Sequence, residues 1–115
     1  MPKLVIEIEQ KQGRIVEKVP ESMHYDLKSV DPSTGSFRII EVKGHKGPEV
    51  FGDLSEKEFE LAEKECSKYW LYIVYNIGSG SPDYLAFQDP VKTMNWEQFE
   101  IVEKRRKYRL RPLSE

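Results

Sequence analysis

Leu4, Val5 and Ile8 recur at helical spacing, and Gly13 stands where a C-terminal cap would fall, so a short helix is expected over residues 4–12. Ile6 and Ile8 also alternate with Glu7 and Glu9, a pattern that a strand would allow. Residues 17–23, interrupted by Pro20, read as a loop. Two strand-like runs follow, 25–30 and 37–43, joined by Asp31-Pro32-Ser33-Thr34-Gly35. Pro32 suits the first corner of a type I turn, and Gly35 supplies the positive φ that rejoins the partner strand. A four-residue loop closed by Asp31 and Ser36 sets Val30 opposite Phe37, Lys28 opposite Ile39 and Asp26 opposite Glu41.

A turn at 44–48 leads to a short strand over 49–54. Ser55 then opens a helix with Glu58 three residues on, the pattern of a capping box. Phe59, Ala62 and Cys66 form that helix's apolar face, extended by Leu61. Residues 70–75 are apolar throughout, as a strand covered on both faces would be, and 84–88 form another strand that Asp89-Pro90 stops. The tail from 96 to 110 shows period two at Phe99, Ile101 and at Tyr108, Leu110, which favours extended structure. The order is helix, three strands, helix, two strands, in an α+β chain without internal repeats.

Composition bounds the class. With 115 residues, 38% of them hydrophobic, the chain is one domain able to bury a core, and its aromatic content argues against disorder. No apolar run approaches the length of a membrane span, and the start lacks the features of a signal peptide. A single cysteine, Cys66, leaves a cytoplasmic location as the simplest reading. The net charge of -2 conceals an asymmetry: residues 104–115 carry six basic side chains and one acidic, while the preceding 103 carry 12 basic and 19 acidic.

Alternation along a strand puts Glu41 and Lys43 on one side of the sheet, and the hairpin register sets Asp26 beside Glu41 on that side. Two facing carboxylates repel unless a cation lies between them. Mg²⁺ accepts such a pair and completes its octahedron with backbone oxygen, for which the Val42 carbonyl is the candidate, and with water and phosphate. Lys43, one step beyond Glu41, could then orient or deprotonate a water, or stabilise charge on a phosphate. Against this, acid and base on an exposed strand are usually only solvated.

An Asp on one strand and Glu-x-Lys on the next, after a helix bearing a Glu, resembles the PD-(D/E)XK nuclease superfamily. More closely, Tyr25-Asp26-Leu27-Lys28-Ser29, Ile40-Glu41-Val42-Lys43-Gly44, Leu54-Ser55 with Glu58-Phe59, Tyr69-Trp70-Leu71-Tyr72-Ile73-Val74 and Gln88-Asp89-Pro90 resemble the C-terminal domain of the plant protein NO VEIN. Related domains end prokaryotic helicases and restriction or defence proteins. The resemblance runs from Glu9 to about Pro90. It implies a restriction-endonuclease-like core of a helix, a three-stranded antiparallel meander, a second helix and further strands in one mixed sheet. The core would span about 4–90, with a basic C-terminal extension at about 91–115. It further implies that Asp26 and Glu41 bind Mg²⁺ or Mn²⁺, that Lys43 is the active-site lysine, and that Glu9, with Glu7 as runner-up, is the helical acid near the metal. Family members usually continue upstream of this helix, so the chain is either a stand-alone copy or part of a longer polypeptide.

The remaining polar candidates concern nucleic acid. Arg14, His45 and Lys46 are placed to touch a phosphate, and the tail offers Lys104, Arg105, Arg106, Lys107 and Arg109. Edge protection is the competing role for the tail, and an acidic body disfavours strong binding of bare duplex. No Walker loop is present, so any ATP-driven step belongs to a helicase or ATPase partner or fused domain. The expectation is a Mg²⁺-dependent nuclease acting on DNA. Its rivals are a catalytically silent nuclease-fold module that binds nucleic acid or protein, and a structural homodimerisation domain.

Overall fold

The computed structural model describes residues 2–100 and 106–112, without the side chains of 98–100, 106 and 107. The first helix, α1 (Pro2–Lys11), ends before Gly13, whose φ of 83° suits a residue without Cβ. Three antiparallel strands follow as a meander: β1 (Ile15–Lys18), β2 (Leu27–Val30) and β3 (Phe37–Gly44). The β2–β3 hairpin has the expected register, Val30 opposite Phe37 and Lys28 opposite Ile39. Asp31 closes the loop by donating its N–H to the Ser36 carbonyl at 2.8 Å, while its carboxylate accepts the Ser33 N–H and hydroxyl. Those bonds to Ser33 hold the Asp31 pKa below its ordinary value.

The chain then runs through β4 (Gly52–Ser55), α2 (Glu56–Glu65), β5 (Tyr69–Tyr75) and β6 (Asp83–Gln88). The main sheet has the order β1-β2-β3-β5-β6; β5 lies parallel to β3 and antiparallel to β6. After a short helix, α3 (Pro90–Thr93), strands β7 (Asn95–Glu100) and β8 (Arg106–Arg111) build a second sheet in the order β4-β8-β7. The fold is α+β. Among the described residues no helix is long and apolar enough to cross a membrane.

Two layers of core cover the main sheet. On one face α1 contributes Val5 against Leu27, Ile40, Tyr72 and Val74. On the other, Leu71 and Ile73 pack on Leu54 and Leu110 of the second sheet, while Ile39 and Tyr69 meet Ala62 of α2. β5, buried at five of seven positions, is the covered strand its apolar run predicts.

Two expectations need correction. Glu17 and Lys18, expected in a loop, belong to edge strand β1, where only Val16 is partly buried, so its sequence carries almost no apolar signal. The meander therefore consists of β1, β2 and β3, and the strand expected as its third member is β4, which leaves for the second sheet. The mixed sheet is present with five strands, and β4, β7 and β8 form a second, antiparallel sheet beside it. Gly52 marks where β4 comes close to the main sheet: a Cβ there would stand 2.6 Å from Ile73 Cδ1, so any side chain would displace that methyl. Within the C-terminal segment, Leu110 of β8 is fully buried against Leu54.

Candidate active site

β3 lies between β2 and β5, and its alternation gives each face a different chemistry. Ile40 turns toward α1, while Ile39 turns toward α2 and Glu41 and Lys43 share its side. Glu41 is buried at 4% exposure. Lys43 Nζ stands 3.0 Å from Glu41 Oε2 and 3.1 Å from Glu58 Oε1. Glu58 arrives there through the capping box of α2: its N–H bonds Ser55 Oγ at 3.1 Å, and its Oε1 accepts the Ser55 N–H at 2.9 Å. One carboxylate oxygen therefore ties the start of α2 to Lys43.

Asp26 reaches the same place differently from the register expectation. The β2–β3 ladder ends at Leu27 opposite Ile40, after the left-handed His24 has turned the incoming chain. Asp26 instead spans Glu41, donating its N–H to the Ile40 carbonyl at 2.9 Å and accepting the Val42 N–H on Oδ2 at 2.8 Å. Within a strand the N–H and C=O of one residue point the same way, so the Val42 carbonyl also faces the β2 side, past the last ladder pair.

Two carboxyl groups contact the Lys43 ammonium, and Asp26 adds its charge near Glu41, so the assembly carries surplus negative charge. Burial, opposed by Lys43 and reinforced by Glu58 and Asp26, pushes Glu41 up to about 8. Burial disfavours the Lys43 ammonium, but Glu41 and Glu58 outweigh it and hold its pKa above the ordinary value. The Tyr69 hydroxyl is buried beside this cluster and bonds no described residue. Burial, followed by the charges of Glu41, Glu58 and Asp26, raises its pKa as well. A cleft of about 360 Å³ opens on the assembly, lined by Lys43, His45, Phe51, Asp53 and Glu58 among others.

A family model described as "Protein NO VEIN, C-terminal" matches residues 2–87. The chain belongs to that family. No curated protein and no solved structure matches it. The NO VEIN C-terminal match takes in Asp26, Glu41, Lys43, Glu58 and Tyr69, and ends within β6, before β7 and β8.

Glu9, expected near the metal acids, lies on the opposite face of the sheet in this NO VEIN C-terminal domain. It is fully buried and accepts Ser29 Oγ at 2.8 Å, Arg38 Nη1 at 2.9 and 3.2 Å, and the Tyr72 hydroxyl, with Arg14 Nε at 3.4 Å. Helical period puts Glu9 one turn beyond Val5 on the stripe that α1 buries, and packing of that stripe on Leu27, Ile40 and Tyr72 sets the face. Glu7, the runner-up, is exposed. Arg14 is accordingly part of the Glu9 cluster and is remote from Lys43 along the chain's fold.

His45 lines the cleft, edge-on to Phe51 with ring centroids 4.3 Å apart, whereas Lys46 is exposed. Arg109 of β8 pairs with Asp53 at 2.7 Å and sits over the Phe51 ring, so part of the basic tail borders the same cleft. Lys104 and Arg105 lie outside the described residues, as do the side chains of Arg106 and Lys107. Among the described residues no three His, Cys, Asp or Glu side chains converge as a metal-ligand group. Glu58 and Tyr69 were missed as site residues. Glu58 was legible only as a helix cap, and nothing local marked Tyr69.

Glu41 makes stability depend on pH. Its folded pKa of about 8 lies above the ordinary 4.5, so its stabilising contribution is fully present below pH 4.5 and is lost as pH rises through about 8. In chelator, wild type should lose roughly 3 kcal/mol between about pH 5 and pH 8.5, and Glu41→Gln should flatten that decline. Thermal melts followed by circular dichroism at several pH values check this; equal slopes in both proteins would contradict it.

Proposed function

We propose that this domain is a Mg²⁺- or Mn²⁺-dependent nuclease of the restriction-endonuclease-like type that hydrolyses DNA phosphodiesters, serving a helicase or a restriction or defence system in the cytoplasm. The observation that carries the reading is the Lys43 ammonium held between Glu41 and Glu58, with Asp26 acting on Glu41 and a buried Tyr69 hydroxyl that bonds no described residue. Two carboxylates, a strand carbonyl facing their side and surplus negative charge suit a hard divalent ion, which commonly takes only one or two protein carboxylates. Asp26, Glu41 and the Val42 carbonyl would hold it. Lewis-acid polarisation of the phosphodiester is the chemistry that such an ion supplies when bound.

The chain's own groups do the rest. Lys43, whose pKa Glu41 and Glu58 hold above its ordinary value, is an ammonium in the ion-free cluster and would donate a hydrogen bond to a non-bridging phosphate oxygen. Glu58 fixes that ammonium through the α2 cap, and the Val42 N–H fixes the Asp26 carboxylate. The Tyr69 hydroxyl is a spare donor toward a water or phosphate oxygen entering the cluster.

The lack of a converged three-ligand group among the described residues favours a second reading, a nuclease-fold module that binds without turnover. Supercoiled and branched DNA incubated with Mg²⁺ or Mn²⁺ separates the two. Ion-dependent nicking that disappears in Asp26→Ala supports the nuclease, and nicking that survives both Asp26→Ala and Lys43→Ala sinks this site. No heat of Mn²⁺ binding at millimolar ion would favour the module.

A further inference from the structure

Glu9 does more than fill the core under α1. It gathers Arg14 and Arg38 at the start of β3, on the face away from Lys43 and about 17 Å from it along the strand at ~3.3 Å per residue. Arg14 is fixed further by Ser29, whose hydroxyl and carbonyl accept its Nε and Nη2 at 2.8 and 3.0 Å. Arg38 stacks its guanidinium 4.2 Å above the Trp70 ring. Lys68 sets its ammonium 5.0 Å from the centre of the Phe37 ring. Arg14, Phe37, Arg38, Lys68 and Trp70 line a cleft of about 420 Å³.

Donors remain over. Arg38 uses only Nη1 on Glu9 and Gln12, and Arg14 uses Nε and Nη2, so Nε and Nη2 of Arg38 and Nη1 of Arg14 bond no described residue. Lys68 pairs with no described carboxylate. Glu9 offsets one of the three positive charges, which leaves a surplus of two.

We infer that the Arg14–Arg38–Lys68 cleft binds a phosphate monoester dianion, either free phosphate or the terminal phosphate of a nucleic-acid strand. A terminal phosphate carries about −1.5 to −2 at neutral pH, matching that surplus better than a carboxylate does. Arginine donors held in a fixed fork suit its oxygens. Anchoring by buried Glu9 and Ser29 and by partly buried Trp70 means that little side-chain freedom is lost on binding. The inference is independent of the nuclease reading, since it concerns the other end of β3 and needs no divalent ion.

Backbone amide shifts of isotope-labelled protein in chelator, titrated with inorganic phosphate and with one short single-stranded oligonucleotide in 5′-phosphorylated and 5′-hydroxyl forms, test it. Saturating shifts at Ser36, Arg38 and Lys68 are expected, weakened roughly tenfold in Lys68→Ala. Tighter binding of the phosphorylated oligonucleotide than of phosphate assigns a strand end; equal or weaker binding assigns free phosphate. Arg38→Gln should remove binding, and because it also disturbs Glu9, the exposed Lys68→Ala carries the result if Arg38→Gln does not fold. Three results would overturn the inference: no saturation at these amides by about 50 mM phosphate, a concentration that detects even weak anion sites; shifts indifferent to Lys68→Ala; or both oligonucleotides binding more tightly than phosphate and with equal affinity.

Discussion

Lys43→Ala should lower divalent-dependent DNA cleavage by about 10²–10⁴-fold and at the same time tighten Mn²⁺ binding roughly tenfold. The two effects have opposite signs because the ammonium has two relationships. Toward a phosphate it is a fixed donor, 3.0 Å from Glu41 and 3.1 Å from Glu58, whose loss removes stabilisation only where charge develops. Toward an incoming ion it is a competitor, because it neutralises the carboxylates that the ion would use. Lys43→Arg keeps the charge but cannot reproduce a compact ammonium between two carboxylates, so it should recover part of the ion affinity pattern and little of the cleavage. Plasmid nicking and calorimetry on the same preparations read both quantities. A fall in Mn²⁺ affinity alongside lost cleavage would mean that Lys43 supports the fold of the cluster and not its chemistry.

Glu9→Ala should destabilise the domain by about 3–5 kcal/mol, because removal of one partner from a buried ionic network leaves the others desolvated and unpaired. Arg38, Ser29 and Tyr72 all donate to this one carboxylate, and Arg14 lies against it. Domains of this size have about 5–15 kcal/mol in total, so a fall in Tm on the order of 15 °C is expected. Glu9→Gln keeps the shape and loses the charge, and should fall between. The placement of Glu9 makes a sharper claim: wherever Glu9→Gln is folded, its Mn²⁺ affinity should stay within about twofold of wild type, as for independent distant sites. Loss of ion binding in that variant would restore Glu9 to the metal site and contradict the observed face assignment.

How much was legible follows from the range over which each signal acts. The hairpin register, the shared face of Glu41 and Lys43 and the capping box were all readable, because turn chemistry and the strand period operate within a few residues. Asp26 was found as a partner of Glu41 although the mode was misread, since the ladder stops one pair short and the Asp26 carboxylate takes the Val42 N–H in place of a backbone acceptor. Strand β1 escaped because an edge strand buries too little to need an apolar pattern.

The sequence by itself determined the strand carrying Glu41 and Lys43, the turn that brings Asp26 to it, and the helix start that contains Glu58. Only the tertiary structure decided that Glu58 closes the ion pair while Glu9 is turned away. That choice depends on which face of one sheet each helix covers, a long-range packing outcome driven by non-directional burial of Val5 on one side and Ala62 on the other. The path of β4 was decided in the same way, by burial of Leu54 against Leu71, Ile73 and Leu110, with Gly52 passing close to Ile73.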